Sequence, residues 1–406
     1  MAFMLAATIV CAVILILNKL APLRDFSRKP ALVLLLGAAI SLAYRLTGGP
    51  FVASEWIATA ADAMLAAVAF AAAAQFRISE LARSCPASFR LTLGGAPLFL
   101  VICGFAAFSF APGLTLPAAF LVAGALTLNG AAFDRRAVTD APAPAVIKAA
   151  VRLESAAILA LGLPIAVILE AAATAPSAGA PVATPLYVMA KSLFFAFGIG
   201  GSLGLALATY DNKTNNSAGA KRAAPAVIAA FVAAISASAL GFHPVVAAAA
   251  AGLLWGEQTN APIPTRVRIR SSVERAVSPI AFFAFGAVLA PRLLQADLLT
   301  IMFAIFAVTI MRAGPRLISL RQSGLPEESQ RFLAWFGGAP GVASALYLMS
   351  LFDAPSIVNQ DTVLTVGATA VLIGVLAARA TSKPLLTALL KQTRVARKRR
   401  LFAENA

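Results

Sequence analysis

Two apolar segments joined by a charged loop decide the fold: residues Leu116–Leu169 read LPAAFLVAGALTLNGAAFDRRAVTDAPAPAVIKAAVRLESAAILALGLPIAVIL. The first segment carries Thr127 and Asn129 near its far end, and the second begins with Arg152 and Glu154. Polar groups are costly in hydrocarbon, so those that persist there usually mark an ion or substrate path. We therefore expect the rest of the chain to form a scaffold around this pair of segments.

The composition is that of an integral membrane protein. Of the 406 residues, 60% are hydrophobic and only 12% are charged, whereas a soluble domain is about half apolar and a quarter charged. Open sheets cannot span lipid, and the strict alternation of a membrane barrel is absent, so the membrane spans are predicted to be helices. The sequence therefore predicts an all-α polytopic protein in the lipid bilayer.

About thirteen apolar runs have the length that a bilayer requires. The predicted spans are 3–18, 31–46, 56–76, 91–111, 116–133, 146–170, 186–209, 223–240, 243–256, 274–291, 297–313, 330–351 and 362–382.

The basic residues indicate the orientation of these spans. The net charge is +16, and the arginines and lysines fall mainly in every second predicted loop and in the tail 391–406. Basic loops are typically cytoplasmic. This pattern predicts a multi-pass protein of the inner (plasma) membrane with its N-terminus outside and its C-terminus in the cytoplasm. The same pattern accounts for the positive net charge, so no nucleic-acid partner is predicted.

Other function classes find little support. The cysteines Cys11, Cys85 and Cys103 have no paired spacing, and His243 is the single histidine, so neither a disulfide framework nor a metal site is predicted. The sequence has no phosphate loop and no nucleophile triad. We predict no cofactor and no enzymatic activity. The domains are taken as a transmembrane domain over residues 1–390 and a basic tail over 391–406.

Several stretches resemble the cation:proton antiporter superfamily, in its sodium/proton exchanger branch. They are AAFLVAGALTLNGAAFDRRAV (118–138), RLESAAILALGL (152–163) and FLAWFGGAPGVASALY (332–347), with weaker likeness in FAAAAQFRISEL (70–81) and SPIAFFAFGAVLA (278–290). The resemblance implies two inverted repeats, a core domain with spans near 91–170 and 297–382, two broken helices that cross near the midplane, and a homodimer.

The breaks in those helices are expected at glycines. Gly130 would interrupt the fifth span, and Gly337, Gly338 and Gly341 would interrupt the twelfth. A broken helix frees backbone groups, which an ion can then ligate. The resemblance therefore implies that backbone atoms at these glycines contribute to the ion site.

The residues that carry the family's chemistry are altered. The family's Thr-Asp-Pro corresponds to Asn129-Gly130-Ala131, its Asn-Asp to Ile158-Leu159, and an arginine of the twelfth helix to Pro340. Arg312 does resemble the family's arginine in the eleventh helix, where it would be a structural charge.

Glu154 is the remaining carboxylate of the site region. It is the first candidate for a group that holds either a cation or a proton, with oxygen ligands from Ser155, Asn129 and Thr127. The alternative is that Glu154 pairs with a nearby base and is structural; the bases considered are Lys148, Arg152 and Arg312. Asp62, early in the third span, is expected to be solvated.

Two functions follow from the resemblance and its departures. The first is a secondary transporter that exchanges a monovalent cation, Na⁺ or K⁺, for protons by a rocking of the core domain. The alternative is a degenerate antiporter fold without cation exchange, which has a structural or regulatory role or carries a different solute.

Overall fold

A computed structural model describes residues 30–46, 54–75, 77, 86–128, 144–174, 183–214, 223–336, 339–354 and 356–404. These residues form fourteen α-helices, of which α3 contains a π-helical turn at Leu91–Gly95. The helices are α1 (Pro30–Leu46), α2 (Ser54–Ala73), α3 (Pro86–Phe110), α4 (Leu116–Thr127), α5 (Ala145–Ala173), α6 (Ala183–Thr214), α7 (Ala223–Ala239), α8 (Pro244–Gln258), α9 (Ile263–Leu293), α10 (Leu298–Val308), α11 (Ile310–Leu320), α12 (Glu327–Phe336), α13 (Val342–Ser350) and α14 (Gln360–Glu404).

The predicted all-α class is confirmed. Within the described ranges, the only strand-like pairing is an isolated bridge between Thr174 and Ile357. Six of the described helices, and α10 and α11 taken together, are long and apolar enough to cross a membrane. Every predicted span from 31–46 onward overlaps at least one helix, whereas the first span, 3–18, lies outside the described residues.

Three helix boundaries differ from the prediction. The eleventh span is divided at Thr309, whose hydroxyl donates to the carbonyl of Ile305; such back-bonding often bends helices. Helix α9 begins at Ile263 rather than at residue 274, because its arginines are helical. Helix α14 continues to Glu404, so the segment predicted as a tail prolongs the last helix.

Small residues let the helices outside the two predicted core segments approach closely. Gly200 and Gly204 of α6 lie so near the backbone of Ala247 and Ala251 in α8 that an added Cβ would collide with carbonyl oxygens. The glycines are four residues apart, on one face of the helix. Since lipid provides little hydrophobic drive between helices, close packing of this kind holds them together.

The first half of the twelfth span is α12 and the second is α13. Ser344, in the first turn of α13, donates its hydroxyl proton to the carbonyl oxygen of Leu128 at 2.5 Å, directly after the end of α4. The carbonyl end of α4 therefore meets the amino end of α13, the second half of the divided twelfth span. This is the junction around which the candidate site is built.

Candidate functional site

Glu154 is the tenth residue of α5, and no part of it is exposed. Arg316 of α11 binds both of its carboxylate oxygens: Nη1 donates to Oε1, and Nη2 donates to Oε2 at 2.9 Å. Such two-point pairing is the strong geometry for arginine and carboxylate. Glu154 is thus a buried side chain paired with a base, as in the structural alternative. Its hydrogen-bonded partner is Arg316, which was not among the bases considered from the sequence.

Arg316 also binds the end of half-helix α12. Its Nε donates to the carbonyl of Ala334 at 3.0 Å, and its Nη2 donates to the carbonyl of Leu333 at 2.9 Å. Arg312, one turn earlier on α11, donates from Nη2 to the carbonyl of Trp335. Carbonyls in the last turn of a helix have no partner within the helix, and they carry the negative end of its dipole. The two arginines therefore occupy carbonyls that a cation would otherwise bind.

Ser155, a predicted oxygen ligand, is also engaged. Its hydroxyl oxygen accepts a hydrogen bond from Nη2 of Arg270 at 3.1 Å, and Nε of the same guanidinium donates to Glu274 at 2.7 Å. Arg270 and Glu274 are both buried in α9. An arginine therefore stands beside the hydroxyl that was expected to face a metal ion.

Thr127 is the predicted ligand that remains nearest to open space. Its hydroxyl donates to the carbonyl of Ala123 at 2.8 Å, which leaves its lone pairs available. It lines a cavity of about 20 Å³ together with Ile158, Arg312 and Arg316. Thr127 therefore faces two arginines across the cavity.

The remaining predicted site residues fall into two groups. Asn129, Gly130, Gly337 and Gly338 lie outside the described residues. Gly341 is described: it is buried, and its carbonyl accepts from the amide of Ala345 at 3.0 Å as α13 begins. Its carbonyl thus serves the helix start.

The two positions at which the resemblance implies Asn-Asp are apolar and buried. Leu159 has no exposed surface and Ile158 is 3% exposed. Among the described residues, no group of three or more histidine, cysteine, aspartate or glutamate side chains is suited to hold a metal ion.

Sequence reasoning placed Arg266, Arg270 and Arg316 in loops, and this is wrong for all three. Each is in a helix and is buried. A signal existed, because Arg270 precedes Glu274 by four residues and Arg312 precedes Arg316 by four, the spacing of neighbours on one helix face. An interpretation based on hydropathy alone places such charged residues in solvent-exposed loops.

A second group of acids was missed, and we call it the acid cluster: Asp62 of α2, Glu170 of α5, and Tyr347 and Ser350 of α13. The two carboxyl groups are close enough to interact electrostatically, and the Ser350 side chain lies beside Asp62. The Tyr347 hydroxyl lies 3.0 Å from Oε2 of Glu170 and 2.8 Å from the carbonyl oxygen of Ala166. Asp62, expected to be solvated, is half-buried.

Comparison with known proteins decides the family. The profile of the family described as "Sodium/hydrogen exchanger, transmembrane" matches residues 7–388. The chain belongs to the sodium/hydrogen exchanger family. It is thus a member of a transporter family and a multi-pass membrane protein. Its membership of this family supports cation/proton exchange as its activity.

Solved structures show that this exchanger-family chain has the antiporter fold. The sodium proton antiporter MjNhaP1 from Methanocaldococcus jannaschii, in its structure at pH 8, is 18% identical; the match covers 96% of this chain and 100% of that one with a TM-score of 0.68. An electron-microscopy structure of the same antiporter matches at 18% identity and a TM-score of 0.61, covering 89% and 90% of the two chains. Among curated proteins, no sequence matches the chain.

Proposed function

We propose that this exchanger-family protein is a secondary transporter that exchanges a monovalent cation, Na⁺ or K⁺, for protons by movement of its core helices. The observation that carries the proposal is the junction of α4 and α13, where Ser344 of α13 binds the carbonyl of Leu128. Junctions of half-helices near the midplane are where such transporters bind their substrates. The family match over residues 7–388 supports the same chemistry.

In this proposal the exchanging carboxylates are in the acid cluster, because Arg316 neutralises Glu154. Tyr347 has one hydroxyl proton but lies near two acceptors, the Ala166 carbonyl and Glu170. When Glu170 itself carries a proton, the Tyr347 hydroxyl donates to the Ala166 carbonyl and accepts from Glu170, so both contacts are hydrogen bonds. Ser350 presents the same situation, since its hydroxyl donates to the Tyr347 carbonyl at 2.7 Å and also contacts Asp62. The cluster is therefore arranged to hold protons.

The same four side chains provide oxygens for a cation. Hard cations take carboxylate and other oxygen ligands, and the cluster offers two carboxyl groups and two hydroxyl groups from three helices. Release of a proton leaves negative charge that a monovalent cation can balance. Either a proton or a cation then occupies the cluster, which is the condition for exchange.

A second candidate function rests on the arginines. Arg316 holds Glu154 and Arg270 holds Ser155, so fixed positive charges stand at two residues that were expected to bind the cation. This arrangement favours an antiporter fold without cation exchange, with a structural or regulatory role or a different solute.

Transport in proteoliposomes distinguishes the two functions. With a pH gradient across the membrane, addition of Na⁺ or K⁺ should dissipate the gradient for the wild type, and Asp62→Asn and Glu170→Gln should abolish that response. Glu327→Gln is the matched control, since Glu327 is exposed and pairs only with Arg331 at the surface. A wild type that responds to neither cation from acid to alkaline pH supports the second function. A response that survives both substitutions would support cation exchange but would show that the acid cluster does not carry it.

We also propose that the protein is a homodimer in the inner (plasma) membrane, with its N-terminus outside and its C-terminus in the cytoplasm. The bias of basic loops supports this orientation, and the resemblance of the sequence supports the dimer. The transmembrane unit is taken as residues 1–390, with its core near 91–170 and 297–382.

A further inference from the structure

Arg312 is a buried cation whose hydrogen-bonding capacity is only partly used. Its residue is 6% exposed, and its one hydrogen bond runs from Nη2 to the Trp335 carbonyl. Its Nε and Nη1 have no acceptor among the residues that the structure describes. Glu154 interacts electrostatically with Arg312, but both of its oxygens are hydrogen-bonded by Arg316.

This arrangement is costly unless something further binds there. Unsatisfied buried donors and unpaired buried charges both oppose folding. Arg316 adds a second positive charge one turn away on the same helix. A water molecule would satisfy a donor but would leave the charge, whereas an anion satisfies both.

The space beside Arg312 is small and polar on one side. The cavity of about 20 Å³ is lined by Arg312, Arg316 and Thr127. A water molecule needs about 10–15 Å³ of such space. The cavity therefore admits a group as small as a carboxylate oxygen or a single halide ion, but not a phosphodiester headgroup.

An apolar groove adjoins this cavity. The groove has a volume of about 210 Å³ and shares Ala96, Thr127 and Ile158 with the cavity. Its other side chains are almost all apolar, and Leu93, Leu161 and Ile165 are exposed on the outer surface of the helix bundle. In a bilayer this surface faces lipid, so the groove is open to molecules dissolved in the membrane.

We propose that Arg312 anchors a binding site for a lipophilic monocarboxylic acid. The carboxylate lies in the small cavity on the free donors of Arg312, and the hydrocarbon chain lies in the groove against Leu93, Leu100 and Ile165. The groove is smaller than the roughly 300 Å³ of an ordinary small-molecule site, so it fits a single chain rather than a two-chain phospholipid. The site does not depend on the proposed cation exchange.

The test measures binding of dodecanoate to the full-length protein in lipid nanodiscs, by equilibrium dialysis and by the shift in Tm. Dodecanol keeps the chain without the carboxylate, and chloride supplies an anion without the chain. Dodecanoate should raise the Tm of the wild type, since a ligand that binds only the folded state stabilises it. Dodecanol and chloride should not.

Substitutions locate the site. Arg312→Met should weaken dodecanoate binding about 10- to 100-fold, the range for loss of hydrogen bonds to a charged group. Arg321→Gln, at the exposed arginine that follows the last residue of α11, should leave binding unchanged. Leu161→Trp, which fills the groove without touching a charge, should also weaken binding and serves if Arg312→Met fails to fold.

Three results would overturn the proposal. The first is equal binding by wild type and Arg312→Met. The second is an equal Tm shift with dodecanol, which would reduce the groove to a lipid-filled surface. The third is a saturating shift with chloride alone, which would make the site one for inorganic anions. Each of these is independent of whether cations dissipate a pH gradient, so failure here does not bear on the proposed exchange.

Discussion

At the scale of single residues, the central feature is the number of arginines buried near one carboxylate. Glu154 is bound by Arg316, and Arg312 lies one turn away on the same helix. Arg270 binds the neighbouring Ser155. Both oxygens of this buried carboxylate are bound by one arginine, which opposes exchange of that partner for a metal ion. The carboxylates suited to exchange are those that no arginine holds.

We expect the Glu154–Arg316 pair to be required for folding. Removing one partner of a buried pair leaves an uncompensated charge and costs about 3–5 kcal/mol. Glu154→Gln and Arg316→Met should therefore each lower the Tm markedly in detergent, while the double substitution should cost less than the sum of the two. The exposed pair of Glu327 and Arg331 is the control, since Glu327→Gln should change stability by less than about 1 kcal/mol. Purely additive losses would contradict direct coupling of Glu154 and Arg316.

The pairing partner of Glu154 was beyond sequence reasoning. The two residues are 162 positions apart, and the bases considered were its neighbours in sequence and the one arginine that resembled the family pattern. Spacing along a helix predicts contacts within one turn, whereas pairing across the crossing depends on how the helices are arranged. The acid cluster was missed for the same reason, because Asp62 and Glu170 come from different helices.

At the scale of helices, close packing at glycines determines how near α6 and α8 approach each other. Gly200 of α6 lies against the backbone of Ala247 in α8, whereas a Cβ on Gly198, two residues earlier, would meet nothing within 4 Å. These two positions provide a matched test on one helix.

We predict that Gly200→Ala destabilises the protein and Gly198→Ala does not. Overpacking costs about 1–3 kcal/mol, while alanine at an unobstructed helix position is favoured over glycine by up to about 1 kcal/mol. The measurement is the Tm of both variants in the same detergent. Equal Tm values would mean that α6 and α8 separate readily to admit the methyl group.

Most helix positions were predictable, because runs of apolar residues long enough to span hydrocarbon leave few alternatives. The exceptions have physical causes. The division at Thr309 depends on a side-chain hydrogen bond to Ile305 within an otherwise apolar run. The early start of α9 depends on arginines that are buried by other helices. Neither effect is visible in mean hydropathy.

At the scale of the whole molecule, the orientation of the chain remains a prediction. A green fluorescent protein fused after Ala406 should fluoresce, and alkaline phosphatase at the same position should be inactive, since the basic loops place this end in the cytoplasm. A truncation fused after Thr174, beyond the sixth predicted span, should give the opposite pattern. Phosphatase activity at the C-terminus would reverse the proposed orientation.

The length of α14 has a mechanical consequence. Its 45 residues, which include Pro384, give about 68 Å of helix, more than twice the roughly 30 Å of hydrocarbon that it has to cross. Helix α14 packs against α10 and α12, so a tilt of those helices also tilts α14. The end of α14 outside the bilayer then moves farther than any point of the helix inside the bilayer. A spectroscopic label placed there would read out small rearrangements at the crossing as large changes of distance.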